Sequence, residues 1–159
     1  MTVDGMLPRA RATQAAQTAT KKVATLARQE KDIELMALLQ RMGDEAATVE
    51  QRCDVAASSR DGAKTAIAKK ARETKAEVQG FMKTYLEDAE ALDGLEFLSM
   101  AEAGELAHWE ILAKLNETAN NAATAKIVKF ALPLQQAHVD AVREQSLRLA
   151  GNEDPTEPA

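Results

Sequence analysis

The sequence predicts an all-α protein, an antiparallel four-helix bundle, and three observations lead to this prediction. Between Pro8 and Pro133 there is no other proline, and the strong helix formers Ala, Leu, Glu, Lys, Gln and Arg dominate. Apolar residues recur at steps of four and three, as in Leu35, Leu39 and Met42, whereas no stretch shows the period-two alternation of strands. Polar breaks about 30 residues apart then divide the chain into four helices.

Each predicted helix is bounded by residues that favour helix ends. The break after the first helix combines Ser58 with Gly62, Asp93 is the expected N-cap of the third helix, and Asn121 precedes the fourth. Gly43 offers a further point at which the first helix splits, which would make the segment up to about residue 42 a separate arm. The four helices are therefore expected at residues 13–57, 61–87, 93–118 and 121–150.

The two ends of the chain are predicted to lie outside the bundle, which then spans residues 13–150. Residues 1–12 are expected to be flexible. Residues 151–159 are expected to form a disordered acidic tail, because they offer no large apolar side chain to dock. With 159 residues, the chain has the length of a single domain.

Composition limits the classes of function. The single cysteine, Cys53, cannot form an internal disulfide, and no run of about 18 apolar residues is present to span a membrane. We therefore expect a cytoplasmic protein without a membrane-spanning segment. Residues 9–31 are basic and poor in acids, as in arms that touch nucleic acid, but the net charge of −5 argues against a dedicated nucleic-acid binder.

Both histidines follow an oxygen-bearing side chain by three residues, in Glu105-Leu-Ala-His108 and Gln135-Gln-Ala-His138. Residues three apart share one face of a helix, so each triplet directs an oxygen and an imidazole to one place. Carboxylate-bridged metal sites inside helical bundles use this spacing. The alternative is a core histidine that hydrogen-bonds to a backbone carbonyl or to a nearby acid.

The expected register of the last two helices places the two triplets at different levels along the bundle. If these helices turn near residue 119, residue n lies level with about residue 237 − n. Glu102 then faces Gln135, and His138 lies one turn away, so these three side chains can meet. His108 lies on the order of 13 Å from His138 along the helix axis, so the two histidines are not expected to bind one ion. Glu105 can bridge towards either.

At these residues the chain resembles a known family. Ala101-Glu102-Ala-Gly-Glu105, followed by Gln135-Gln-Ala-His138, looks like the second half of the ferritin-like superfamily, in particular the rubrerythrin-like and bacterioferritin-like di-iron bundles. The resemblance implies that Glu102 is the carboxylate ligand of the third helix, that Gln135 replaces a bridging Glu, and that His138 is the imidazole ligand. Glu105 matches the extra acid of rubrerythrins, and iron or manganese would be the metal.

The first half of the chain departs from this family, which has a Glu on the first helix and Glu-x-x-His on the second. No histidine precedes His108, and the best second-helix candidate, Glu73, is followed by Ala76 where the family has His. An alternative triplet runs from Glu50 to Cys53. Because a carboxylate and an imidazole are lost, the sequence predicts a degenerate or absent di-iron site.

The resemblance therefore predicts a ferritin-like bundle with a role in metal handling or in oxidative or general stress, assembled as a homo-oligomer. One alternative is a non-catalytic scaffold or oligomerisation module whose interior polar residues only fix helix register. Another is a DNA-associated oligomer that uses the basic N-terminal segment. The residues expected to hold metal are Glu73, Glu102, Glu105, His108, Gln135 and His138. Both enzymatic activity and a crossover between the second and third helices stay open.

Overall fold

The computed structural model describes residues 2–10, 14–58, 89–154 and 156, and nine single positions between 65 and 86. Five helices lie within these ranges: α1 (Val3–Ala10), α2 (Gln14–Gln29), α3 (Ile33–Ser58), α4 (Ala91–Ala119) and α5 (Ala122–Ala150). The described residues contain no strand, which confirms the predicted all-α class. None of the described helices is both long enough and apolar enough to cross a membrane.

The first predicted helix, residues 13–57, is wrong as a single element, because a turn around Lys31 separates α2 from α3. Lys31 adopts a left-handed backbone conformation, with φ of 62°. Asp32 Oδ1 then accepts a hydrogen bond from Leu35 N at 2.9 Å and caps the start of α3. α3 continues through Gly43, so the alternative split there is wrong as well.

α4 and α5 form a second hairpin, and their bounds lie within two residues of those predicted. Asn120 ends α4 in a left-handed conformation, with φ of 47°. Asn121 Oδ1 accepts a hydrogen bond from Thr124 N at 2.8 Å and begins α5. Asn116 Oδ1 also accepts from Asn121 N, at 3.2 Å. These local bonds hold the two long helices in a defined register.

The two hairpins pack so that α3 and α5 run antiparallel. Glu45 contacts His138 near the middle of both helices, and Asp32 contacts Arg148 at one end. Residue numbers therefore decrease along α5 in the direction in which they increase along α3. Because α4 is antiparallel to α5, α3 and α4 run parallel. The end of α3 and the start of α4 therefore lie at opposite ends of the bundle.

A hydrogen bond shows where α4 begins. Ala91 N donates a hydrogen bond to Glu30 Oε1 at 2.8 Å, so α4 begins beside the turn between α2 and α3, at the end of the bundle opposite to the end of α3. Residues 59–88, which connect α3 to α4, lie largely outside the described residues, so the crossover stays a prediction. α2 packs closely on α4 here, because a Cβ on Gly94 would lie 2.8 Å from Val23 Cγ2.

The predicted second helix, 61–87, lies largely outside the described residues. Eight single positions between 65 and 85 are helical, and the described positions from 65 to 80 are exposed. The described core is built by α1 and α2 with α3, α4 and α5, and Leu86 and Met82 from the predicted second helix also pack into it. Residues 1–12, expected to be flexible, include α1, whose Met6 and Leu7 are fully buried. The disordered tail stays a prediction.

Candidate functional site

A layer of polar residues interrupts the core about halfway along the bundle. Glu102, Glu105, Gln135 and His138 are only 2%, 9%, 5% and 5% exposed. Along α4, an apolar cluster that ends at Leu98 precedes this layer. A second apolar cluster, which contains Trp109 and Leu112, follows it. Polar groups in such a position require partners or a ligand, because desolvation without hydrogen bonds costs roughly 1–3 kcal/mol for each group.

Gln135 binds Glu102 across the α4–α5 pair. Gln135 Nε2 donates to the backbone oxygen of Glu102 at 3.2 Å and to its Oε2 at 2.5 Å. This confirms the predicted register, in which residue 102 lies level with residue 135. The Gln135 amide fixes the orientation of the carboxylate but brings no negative charge of its own.

His138 lies between two carboxylates that come from two other helices. Its Nε2 is 2.8 Å from Glu45 Oε2 on α3, and its Nδ1 is 3.5 Å from Glu102 Oε2 on α4. Burial by itself would lower the pKa of His138, but the hydrogen bonds and charges of Glu102 and Glu45 outweigh burial and raise this pKa above its ordinary value. The imidazole is therefore stabilised in its protonated form.

Glu45 is a site residue that sequence reasoning missed. It follows Gly43-Asp44, which favoured a helix end, so its side chain was not expected on a continuous helix that faces α5. In the structure its side chain is 34% exposed and borders an open cleft on α3 that Arg41 and Thr48 also line. Glu45 thus connects the buried His138 to the surface of the protein.

Glu105 lies one turn after Glu102 on the same buried side of α4. Burial, and then the negative charge of Glu102, raises the pKa of Glu105 well above its ordinary value. Two neighbouring buried carboxyl groups cannot both ionise easily in a medium of low polarity. Glu105 therefore binds its proton more tightly than an exposed glutamic acid does.

The other two predicted site residues are less buried than the residues of this layer. His108 is half-buried and comes six residues after Glu102, about 9 Å along the axis of α4. Glu73 is exposed. The described residues contain no group of three or more His, Cys, Asp or Glu side chains already arranged around one point as metal ligands. The structure thus brings together Glu102, Glu105, Gln135 and His138, and adds Glu45.

The chemistry of these side chains suits one cation better than two. Two carboxylates and one imidazole are donors that manganese, ferrous iron and zinc accept. Glu45 contacts Nε2 of His138 and Glu102 contacts Nδ1, so a cation bound at one ring nitrogen would displace the proton there, and the carboxylate at the other nitrogen would have to rotate towards the cation. A second metal ion would need further charged ligands, and Gln135 supplies a neutral amide where the resemblance implies a bridging carboxylate.

Comparison with known proteins supplies no relative from which residue roles could be transferred. No protein-family model, no curated protein and no solved structure matches this chain.

Proposed function

We propose that this protein is a ferritin-like bundle that handles metal by binding a single divalent cation, manganese or ferrous iron, at Glu45, Glu102 and His138. The observation that carries the proposal is the contact of one buried imidazole with carboxylates from two other helices. Each ligand would come from a different helix, so a bound cation would tie α3, α4 and α5 together. Such a site would serve to buffer or sequester metal under stress.

Chain connectivity supports the ferritin-like part of the proposal. Ferritin-like folds need two hairpins joined by a crossover along the bundle. Here α2 and α3 form one hairpin, α4 and α5 form the other, and α3 runs parallel to α4. Glu45 would be the acid of the second bundle helix, with Thr48 at the position three residues later where the family has His.

The ligands that di-iron bundles require argue against an oxidase. A di-iron centre needs about four carboxylates and two imidazoles, whose charge stabilises the ferric state. Gln135 is neutral here, and Thr48 provides no imidazole at the matching position of α3. A degenerate site for one divalent cation is the form of metal handling that these residues support.

Thermal unfolding with and without metal tests the proposal. A cation that binds only the folded protein raises the free energy of unfolding, and with it the midpoint temperature. At a concentration 100 times the dissociation constant, the free energy of unfolding rises by about 2.7 kcal/mol. We expect this rise with Mn²⁺, and with Fe²⁺ in the absence of oxygen. Glu45→Gln should fold, because Glu45 is partly exposed, and should lose most of the rise. Glu144→Gln, an exposed acid on α5, is the matched control and should keep it.

Calorimetric titration gives the stoichiometry. One cation bound per chain, with an affinity at least ten times lower in Glu45→Gln, is the expected result. An unchanged midpoint and no heat of binding in the wild-type protein would exclude the site. Binding that Glu45→Gln and Glu144→Gln reduce equally would show that the cation binds elsewhere.

A non-catalytic scaffold is the second candidate, and one observation favours it. The described polar groups of the layer already pair with one another, through Gln135 to Glu102 and through His138 to Glu45. Such a network can fix helix register without any ligand. If this is its only role, replacing Glu45 by Gln would change stability alike with and without metal.

A further inference from the structure

α4 exposes an apolar face on the side opposite the polar layer. Met100 and Ile111 are 51% and 40% exposed, although both are large hydrophobic residues. Ala103, Gly104 and Ala107 lie between them and are exposed as well. At about 100° per residue, these five positions fall within one stripe roughly 100° wide, which we call the α4 face.

Gly104 occupies the middle of the α4 face, and no contact among the described residues requires a glycine there. A Cβ added at Gly104 would meet no atom within 4 Å. A glycine inside a helix costs about 1 kcal/mol relative to alanine. Its benefit must therefore come from outside the described contacts, and a glycine permits the close approach of another backbone.

The two ends of the α4 face carry opposite charges. Glu96 lies near the start of α4 and Lys114 near its end, and both are exposed on the same stripe. Lys114 also contacts Glu117 on its own helix at 2.6 Å, but both side chains are more than half exposed, so this pair contributes little and can be exchanged.

These features make the α4 face complementary to itself in an antiparallel arrangement. If the centre of α4, near residues 105 and 106, lies on a two-fold axis, then Met100 of each copy faces Ile111 of the other. Gly104 then faces Ala107, and Glu96 approaches Lys114. In a parallel arrangement Glu96 would instead face Glu96. A two-fold interface requires this kind of self-complementarity.

We propose that the α4 face binds a second copy of this chain, with the two α4 helices antiparallel about a two-fold axis. The proposal is independent of metal binding, because the face lies on the side of α4 turned away from Glu102. A single pair of helices buries less than the roughly 1,200–2,000 Å² of a standard interface. The dimer should therefore dissociate on dilution, within the micromolar range.

Sedimentation velocity across a concentration series tests the interface. Gly104→Arg should give a folded monomer at all concentrations, because the added side chain has open space within its own chain but would meet the second copy. Glu96→Lys and Lys114→Glu should each lower the affinity of the dimer by about fivefold or more, because each dimer would then contain two pairs of neighbouring like charges. The double variant should restore the wild-type affinity. Glu144→Lys, an exposed charge reversal on α5, is the control and should have no effect.

Gly104→Ala separates association from folding. It should raise the thermal unfolding midpoint of the monomer through helix propensity while weakening the dimer. A wild-type protein that is monomeric up to millimolar concentration would overturn the proposal. A dimer that survives Gly104→Arg, or a charge exchange that does not restore affinity, would overturn it as well.

Discussion

Replacing Glu105 by Gln should make the protein less sensitive to pH. In the folded protein, burial and the charge of Glu102 raise the pKa of Glu105 well above its ordinary value. The folded state therefore binds this proton more tightly than the unfolded chain, whose glutamates titrate near about pH 4.3. As the pH rises from about 4.3 towards the raised value, stability falls by up to about 1.4 kcal/mol per pH unit. The amide in Glu105→Gln does not titrate, so the variant avoids this fall.

Urea denaturation at several pH values from 4.5 to 8, followed by the fluorescence of the buried Trp109, measures this effect. The pKa of His138 is also raised, so its contribution is complete below about pH 6.5 and is lost as the pH rises through its folded value. This contribution is present in both proteins and cancels in their difference. The difference between Glu105→Gln and wild type should therefore grow from about pH 4.3 upwards. Parallel curves would refute the reasoning, and Glu110→Gln, an exposed acid on α4, should give such parallel curves.

Three further predictions concern stability and use the same denaturation assay. Gly94→Ala should cost about 1–3 kcal/mol of stability, because the added Cβ would lie 2.8 Å from Val23 Cγ2. Gly43→Ala, whose Cβ would have nothing within 4 Å, should be neutral or stabilising. Equal effects of the two substitutions would contradict the close packing of α2 on α4. Asp32→Ala should cost about 1–2 kcal/mol of stability at neutral pH. In the folded state the effect of burial on the pKa of Asp32 is outweighed by Arg148 and by backbone hydrogen bonds, which lower this pKa. The cost of the substitution should therefore shrink in acid. Lys31→Gly should stabilise by up to about 1 kcal/mol, since glycine adopts the φ of 62° without strain; a loss of stability would argue against that conformation.

The second hairpin was predictable because its determinants are local. Asn120 and Asn121 are residues that favour left-handed C-caps and N-caps, and the structure uses them in these two roles. Once the turn is located, the fixed rise of a helix determines which residues lie level. The meeting of Glu102 with Gln135 and His138 follows from that register alone.

The first half of the core was not predictable in the same way. Lys31 takes a left-handed conformation that its residue type does not favour, so the turn there has no clear sequence signature. Gly43 favours a break, yet Met42 and Ala46 are buried on either side and packing overrides the weak local preference. With the turn misplaced, the pairing of α3 with α5 could not be foreseen, and neither could the contact of Glu45 with His138.

Anomalous scattering from a crystal of the protein grown with Mn²⁺ tests the metal site most directly. The proposal predicts one strong peak per chain, within roughly 2–2.5 Å of side-chain atoms of Glu45, Glu102 and His138. This peak should disappear in Glu45→Gln and persist in Glu144→Gln. No peak at these residues would contradict the account, and so would a peak confined to the acidic end of the bundle around Glu30 and Glu90.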